Sequence, residues 1–185
     1  MSLRHVLLVV LKKHKASGYG ITKWFDGPLG YFWDTSHQRV YRALATLYED
    51  GWVDFEWVRQ DDKPDKKIYR ITPDGERALQ QWLATPLKPP VINDGFLVKL
   101  FAGQPDSVDN LIRELELQKQ EHERLLQEYG KVEQQYFPPP VTDPEQRMMY
   151  LTLKRGLIYE QGALQWAQEA LEVLQDLRES SGKSD

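Results

Sequence analysis

The sequence predicts a mainly α-helical protein with a small β wing. Three features of its 185 residues predict this fold class. Apolar residues recur at helical spacing over most of the chain, one short segment alternates apolar and polar residues before turning back, and a proline-rich stretch separates the helical patterns into two groups. We therefore expect two α-rich parts, of which the first carries a β-hairpin.

The composition is typical of a globular protein, with 41% hydrophobic and 28% charged residues. The absence of cysteine excludes a disulfide scaffold and fits the reducing cytoplasm, which is the compartment we expect. The longest apolar run covers residues 6–11 and is followed at once by Lys12 and Lys13. Because it is too short to cross a bilayer and basic where a signal peptide is neutral, we interpret it as part of a core helix.

The charge is unevenly distributed along the chain. The formal net charge is −4, but residues 1–85 hold 13 basic and 11 acidic side chains, whereas the remainder holds 11 basic and 17 acidic ones. The whole protein is therefore not a general polyanion binder. A local basic patch in the first half would still allow contact with DNA.

The segment "TPLKPPVIN", residues 85–93, contains three prolines and is the best internal boundary. Proline removes a backbone donor and disfavours helix in the preceding residue, so a helix that ends near Trp82 cannot continue through it. We predict one domain over residues 1–88 and a second, purely helical domain over residues 89–185.

Three helices are predicted at the beginning of the first domain. The first covers about residues 3–14 and is apolar nearly all round, so it should be buried on several sides. "YGITKWF" forms a short second helix. A glycine- and proline-containing loop leads to the third, which begins where Thr35 or Ser36 caps the free amides and stops at Asp50-Gly51.

Strand signals follow the third helix. Val53, Phe55 and Trp57 alternate with acidic residues, the polar turn "RQDDKPDK" follows, and "KIYRI" returns as a second strand. A further helix starts after Thr72, with a proline in its first turn. Three helices, a two-stranded wing and a fourth helix are the order of a winged helix-turn-helix domain.

The second domain has a helical pattern throughout. A short helix, "NDGFLVKLFAG", precedes a long one capped by Asp106 or Ser107, and after "FPPPVTDPEQ" a last helix runs to about Arg178. That helix carries a second set of apolar residues that one helix pair cannot bury. We predict that this second set forms a homodimer contact. Its members are Leu151, Ile158, Trp166 and Leu177.

One face of the third helix has the side chains that a DNA-reading helix requires. Its polar residues are Ser36, His37, Gln38, Tyr41 and Arg42. Gln and Arg can make bidentate pairs with adenine and guanine, while hydroxyl groups more often hold phosphates. Lys63, Lys66 and Lys67 of the wing would follow the DNA backbone or minor groove. We therefore expect double-stranded DNA as the partner.

Three segments resemble the PadR family of bacterial transcription regulators. They are "SGYGITK" (residues 17–23), "GYFWDTSHQRVYRALATLYEDGWV" (residues 30–53) and "KKIYRITPDGERALQQWL" (residues 66–83). From "NDGFLVKLFAG" to "LQWAQEALEVL", the chain is similar to the helical domain of the virulence-activator-like subgroup of that family. Together these segments cover nearly the whole chain.

The resemblance implies a homodimer whose winged domains bind an inverted-repeat operator and usually repress transcription. It also implies that the first helix packs on the C-terminal domain of the partner subunit. The residues that fall where family members contact DNA are Tyr19, Lys23, Ser36, Gln38, Tyr41 and Lys67. The wing turn departs from the family pattern because it holds three aspartates, where the family is often more basic.

Two other classes of function fit these residues less well than DNA binding does. A winged-helix module used only for protein contacts should present an apolar or acidic face where this one has Gln38, Tyr41 and Arg42. An enzyme is disfavoured because the four histidines have no metal-ligand spacing and "GYG" lacks the full phosphate-binding fingerprint. We expect neither catalysis nor a cofactor or metal.

A small-molecule effector is a further possibility that the family resemblance raises, because some relatives respond to phenolic acids and others bind drugs. Such a site would lie between the two domains. The candidate aromatic linings, for which ordinary core packing is the preferred explanation, are Trp24, Trp33, Phe96, Tyr150 and Trp166. The sequence identifies no effector, target gene or direction of regulation.

Overall fold

The computed structural model describes residues 2–27, 29–59, 65–89, 91 and 93–181. The chain divides into two compact units, Met1–Pro89 and Pro90–Asp185. The first is mixed helix and sheet, and the second is helical over its described residues. The predicted fold class, mainly α with a small β wing, is confirmed.

The first unit contains four helices and three short strands. The helices are α1 (Leu3–Lys13), α2 (Gly18–Phe25), α3 (His37–Glu49) and α4 (Pro73–Leu83), and the strands are β1 (Ala16–Ser17), β2 (Val53–Val58) and β3 (Lys66–Ile71). The sheet is antiparallel with the order β1-β3-β2. The predicted two-stranded wing was therefore incomplete, because β1 adds a third strand. At two residues, β1 is too short to produce an alternating pattern.

The core of the first unit is organised around α1, which contacts α3, α4 and β3. Leu7 and Leu8 of α1 are fully buried, as are Leu44 and Leu47 of α3. The prediction that the first helix is buried on several sides is confirmed. Because α3 is anchored by its apolar side, its polar side faces outward.

Both ends of α3 follow from local chemistry. The Ser36 hydroxyl oxygen accepts a hydrogen bond from the Arg39 amide at 3.4 Å, so Ser36 rather than Thr35 is the cap. At the other end, Gly51 has a φ of +72°, a conformation that side chains with a Cβ rarely adopt. The chain can therefore leave the helix sharply and enter β2.

The β2 and β3 strands pair along their whole length, from Val53 opposite Ile71 to Val58 opposite Lys66. Val53 is buried and Phe55 is half-buried, as the alternation predicts. Trp57 lies on the same face of the strand but remains 62% exposed. The predicted alternation is therefore present, but the strand extends past the end of the core, so Trp57 is not covered.

The second unit consists of α5 (Gly95–Phe101), a 3₁₀ turn (Pro105–Ser107), α6 (Val108–Tyr136) and α7 (Pro144–Ser181). The two long helices pack against each other as an antiparallel hairpin. Of the two predicted caps of the long helix, Ser107 has helical backbone angles and makes no side-chain cap, and its hydroxyl bonds the Gln104 backbone instead. Asp106 lies within the preceding 3₁₀ turn. The Asp143 carboxylate does receive the Gln146 amide at 2.8 Å, at the start of α7.

The α6–α7 hairpin leaves part of its apolar surface uncovered. Leu153, Leu171 and Leu174 are buried between the helices. The second set on α7 remains exposed in the single chain: Leu151, Ile158, Trp166 and Leu177. The predicted excess of apolar surface on the last helix is therefore present.

Candidate nucleic-acid interface

The outer face of α3 presents long polar side chains to solvent. Gln38, Tyr41 and Arg42 are spaced three and four residues apart and are all exposed, while Val40 between them is buried. Ser36 and His37 are exposed at the start of the same helix. Its first turns therefore offer amide, guanidinium, imidazole and hydroxyl groups to a ligand.

An open groove of about 620 Å³ joins the start of α2, the middle of α3 and the wing, which comprises β2, β3 and the turn between them. Its lining residues are Ser17, Gly18, Tyr19, Tyr41, Trp57, Asp65, Lys66, Lys67 and Tyr69. Four of the predicted site residues, Tyr19, Tyr41, Lys66 and Lys67, thus meet in one place. They come from three elements that are distant in sequence.

Tyr41 is held in this groove by close packing on α2. A Cβ atom added at Gly18 would lie 2.3 Å from Cε1 of Tyr41, so residue 18 has to be glycine for the ring to occupy this position. Burial raises the pKa of the neighbouring Tyr69 hydroxyl, with a smaller contribution from Tyr41. The Tyr69 phenol therefore stays protonated at neutral pH and can donate a hydrogen bond.

Lys67 is fixed against aromatic rings of the wing. Its Nζ lies 4.1 Å from the ring centroid of Phe55 and 5.2 Å from that of Trp57. Trp57 stands directly opposite Lys67 in the β2–β3 pairing. These are cation–π contacts, which orient the ammonium group without neutralising its charge.

A second small network ties the end of α2 to the start of α3. Asp26 receives Lys23 Nζ at 3.1 Å and lies 3.4 Å from Nε2 of His37. The hydrogen bond from Lys23, followed by that from His37, holds the pKa of the Asp26 carboxyl below its ordinary value. The contact with Asp26, followed by that with Tyr19, raises the pKa of Lys23. A polyanion would have to compete with Asp26 for Lys23 and His37.

The sequence did not identify every residue of this surface. Trp57 and Asp65 line the groove, and Asp26 contacts two of the predicted residues. Trp57 could have been identified from the sequence, because a hairpin closed by "RQDDKPDK" brings it near Lys66 and Lys67. Lys63 of the wing turn lies outside the described residues.

The candidate effector residues are dispersed over the two units. Trp24 and Trp33 pack on the core of the first unit, and Phe96 is buried in that of the second. Trp166 lines an apolar cavity of about 490 Å³ with Leu100 and Leu111. Tyr150 lines a different cavity of about 570 Å³ beside Phe137. Trp24, Trp33 and Phe96 therefore serve as core residues, and Tyr150 and Trp166 face separate cavities.

Two other kinds of feature are absent from the described residues. No helix of this part of the chain is long and apolar enough to span a membrane. Within the same residues, no group of three or more His, Cys, Asp or Glu side chains could hold a metal ion.

Two family models match the chain. Residues 7–81 match the transcriptional regulator PadR-like family, and residues 92–175 match the virulence activator alpha C-terminal family. The "Probable transcriptional regulator Rv1176c" of Mycobacterium tuberculosis is 33% identical over 96% of this chain and 100% of its own length.

Solved structures agree with these matches. The virulence activator AphA of Vibrio cholerae is 37% identical with a TM-score of 0.81, and the match covers 95% of this chain and 99% of AphA. Bacillus subtilis PadR in complex with operator DNA is 26% identical with a TM-score of 0.77, covering 93% of this chain and 98% of PadR. The same protein has been solved in complex with p-coumaric acid, with a TM-score of 0.72 and coverage of 94% and 98%.

Proposed function

This chain belongs to the PadR-like family of transcriptional regulators, and on that premise we propose that it represses transcription by binding an inverted-repeat operator as a homodimer. It would act on double-stranded DNA in the cytoplasm. We assign it no catalytic role and no cofactor.

The observation that carries the proposal is the groove in which Tyr19, Tyr41, Lys66 and Lys67 converge beside the polar face of α3. Hydroxyl and ammonium donors from three elements form one surface that a phosphate backbone can follow. A surface built for protein contact alone would not require this set of anion-binding groups. Bacillus subtilis PadR, a structural relative, binds operator DNA.

We assign different roles to the residues of this surface. Gln38 and Arg42 would enter the major groove, because they are long, exposed and one helical turn apart. The remaining residues would contact phosphates or fix the orientation of the helix: Tyr19, Lys23, Ser36, His37, Tyr41, Lys66 and Lys67. Because the Ser36 oxygen already caps α3, its hydroxyl would act as a donor to phosphate.

We propose that residues 1–88 form the DNA-binding domain and residues 89–185 the dimerisation domain. The support is the exposed apolar set on α7, namely Leu151, Ile158, Trp166 and Leu177. Burial of such side chains is favourable in proportion to the area removed from water, and a second copy offers the same surface. A dimer would also supply the second reading helix that an inverted repeat requires.

The direction of regulation rests on the named relatives. Bacillus subtilis PadR, 28% identical over 93% of this chain, is a negative transcriptional regulator, whereas AphA is a virulence activator. We propose repression. A reporter gene placed behind this protein's own operator would be silenced by the protein, and stimulated expression would contradict the proposal.

We further propose that a small-molecule effector releases the operator, because Bacillus subtilis PadR binds p-coumaric acid. Three aromatic residues face cavities in the second unit, namely Phe137, Tyr150 and Trp166. The first candidate effector to test is a phenolic acid, p-coumaric acid, which is titrated into the protein–operator complex. Loss of the shifted band would support a phenolic effector, and an unchanged complex would exclude this compound.

The test of DNA binding is a gel shift with genomic fragments from the source organism. We expect tight, saturable binding to a small number of fragments, weakened by salt because phosphate contacts release counterions. Binding of every fragment with equal affinity, or of none, would favour the alternative of a winged-helix module for protein contacts.

A further inference from the structure

Trp57 is a large exposed aromatic residue that the roles above do not use. It extends from β2 on the side that Val53 and Phe55 share, and 62% of its surface is accessible. Its ring meets Phe55 edge-on at 6.0 Å between centroids. Because this exposed ring lines the groove in which Tyr19, Tyr41 and Lys67 meet, a partner bound in that groove would contact it.

The position of Lys67 indicates the chemistry of that partner. Its Nζ rests over Phe55 at 4.1 Å and over Trp57 at 5.2 Å, and the side chain is half-buried. An ammonium group held over rings keeps its three N–H donors. Because the side chain is already ordered, it loses less conformational entropy when it binds an anion.

Trp57 and Lys67 face the same groove as the hydroxyl-bearing rings of Tyr19 and Tyr41. The groove thus combines phenols from α2 and α3 with a flat ring and an ammonium group from the wing strands. Asp65 also lines the groove and disfavours a small free anion. A sugar-phosphate chain fits this combination better, because it brings an apolar sugar face together with each charged phosphate.

We infer that Trp57 and Lys67 act as one unit that holds a deoxyribose-phosphate strand of duplex DNA against the strands of the wing. The Trp57 ring packs on a sugar, and its indole N–H and the Lys67 ammonium donate hydrogen bonds to phosphate oxygens. Backbone contacts carry no sequence information, so the unit adds affinity for any duplex. This inference rests on the proposed function. It assigns the wing's contribution to DNA affinity to its two strands.

The test compares full-length Trp57→Ala, Lys67→Ala and the double variant. Affinities are measured for poly(dI-dC) and for a genomic fragment that the wild-type protein selects. Tyr48→Ala is the matched control, because Tyr48 contacts Phe55 at 4.8 Å but does not line the groove. Circular dichroism establishes that each variant is folded.

We expect Trp57→Ala to weaken binding to both DNAs by roughly three- to tenfold, with Tyr48→Ala within about twofold of wild type. The loss from Trp57→Ala should be smaller in the Lys67→Ala background, because contacts that act as a unit are not additive. Trp57→Phe, which keeps a ring beside Lys67, should retain part of the affinity.

The inference is overturned if Trp57→Ala binds like wild type, if Tyr48→Ala is equally impaired, or if the losses simply add. Its failure can be told from failure of the proposed function. A wild-type protein that prefers no genomic fragment over poly(dI-dC) contradicts sequence-specific regulation. Equal binding by wild type and Trp57→Ala contradicts only the wing contact.

Discussion

The ring of Tyr41 on α3 lies directly against Gly18 of α2, where a Cβ atom would stand 2.3 Å from Cε1 of the tyrosine. This contact sets the place of a phenol in the candidate DNA groove. Because Tyr41 is exposed on its other side, a bulkier residue 18 would displace the ring without opening the core.

We therefore expect Gly18→Ala to weaken operator binding by roughly three- to tenfold through loss of one phosphate contact. Its free energy of unfolding should change by less than about 1 kcal/mol, since the displaced ring can turn into solvent. Gly20→Ala in the same helix is the control, because its Cβ would meet Ser17 Oγ at 3.3 Å and would not touch the Tyr41 ring. Unchanged affinity of Gly18→Ala would remove Tyr41 from the contact surface.

Alanine substitutions of Gln38 and Lys67 should weaken DNA binding in different ways. Gln38→Ala should cost roughly 1–3 kcal/mol at one base pair and relax sequence preference there, because a bidentate contact to a base is lost. Lys67→Ala should weaken all sequences alike and reduce the slope of log affinity against log salt by about one. Binding measured on single-base operator variants over a salt series separates the two, and the reverse pattern would contradict the assignment.

The exposed apolar residues on α7 predict that the protein is a homodimer. Light scattering at micromolar concentration should give twice the 21.7 kDa of one chain. Replacing both Leu151 and Ile158 by Glu should yield a monomer, because charges cannot be buried in the contact without partners. Leu117→Glu, at an exposed leucine of α6, is the matched control and should remain dimeric. A wild-type mass of 21.7 kDa would contradict the account.

His122 and Glu160 form a polar pair inside the α6–α7 hairpin. The His122 Nδ1 lies 2.5 Å from Oε2 of Glu160, which is only 5% exposed. Removing the imidazole by His122→Ala leaves a buried carboxylate without this partner and should lower the free energy of unfolding by about 1–3 kcal/mol. Urea unfolding at one fixed protein concentration measures it.

The double variant with leucine at positions 122 and 160 is the control for the His122 prediction. It should lose less stability than His122→Ala, because a matched apolar pair leaves no buried charge. If the single substitution is neutral, the pair contributes nothing to the hairpin.

The sequence predicted those elements whose signals are local. The start of α4 follows from a threonine cap and a proline in the first turn, and the Thr72 hydroxyl oxygen accepts the Gly75 amide at 3.1 Å. The Asp50-Gly51 stop of α3 follows from the left-handed backbone that Gly51 adopts. Likewise, the apolar periodicity of α3 fixed which of its faces is buried.

The features that only the three-dimensional structure reveals depend on residues that are distant in the sequence. The groove brings residues 19, 41 and 67 together, and no spacing along the chain encodes that meeting. Trp57 satisfies the alternation of a buried strand, but burial depends on how far the core extends beneath it. Asp26 looked like a loop residue, although it contacts both Lys23 and His37.

The most direct test of the central claim is a footprint of the full-length protein on the operator it selects. A homodimer with one α3 per subunit should protect two inverted half-sites on one side of the duplex, with centres about 10 or 20 base pairs apart. Hydroxyl-radical cleavage resolves that spacing at single nucleotides. Protection of two inverted half-sites at that spacing is the predicted result, and a single unpaired half-site would contradict the account.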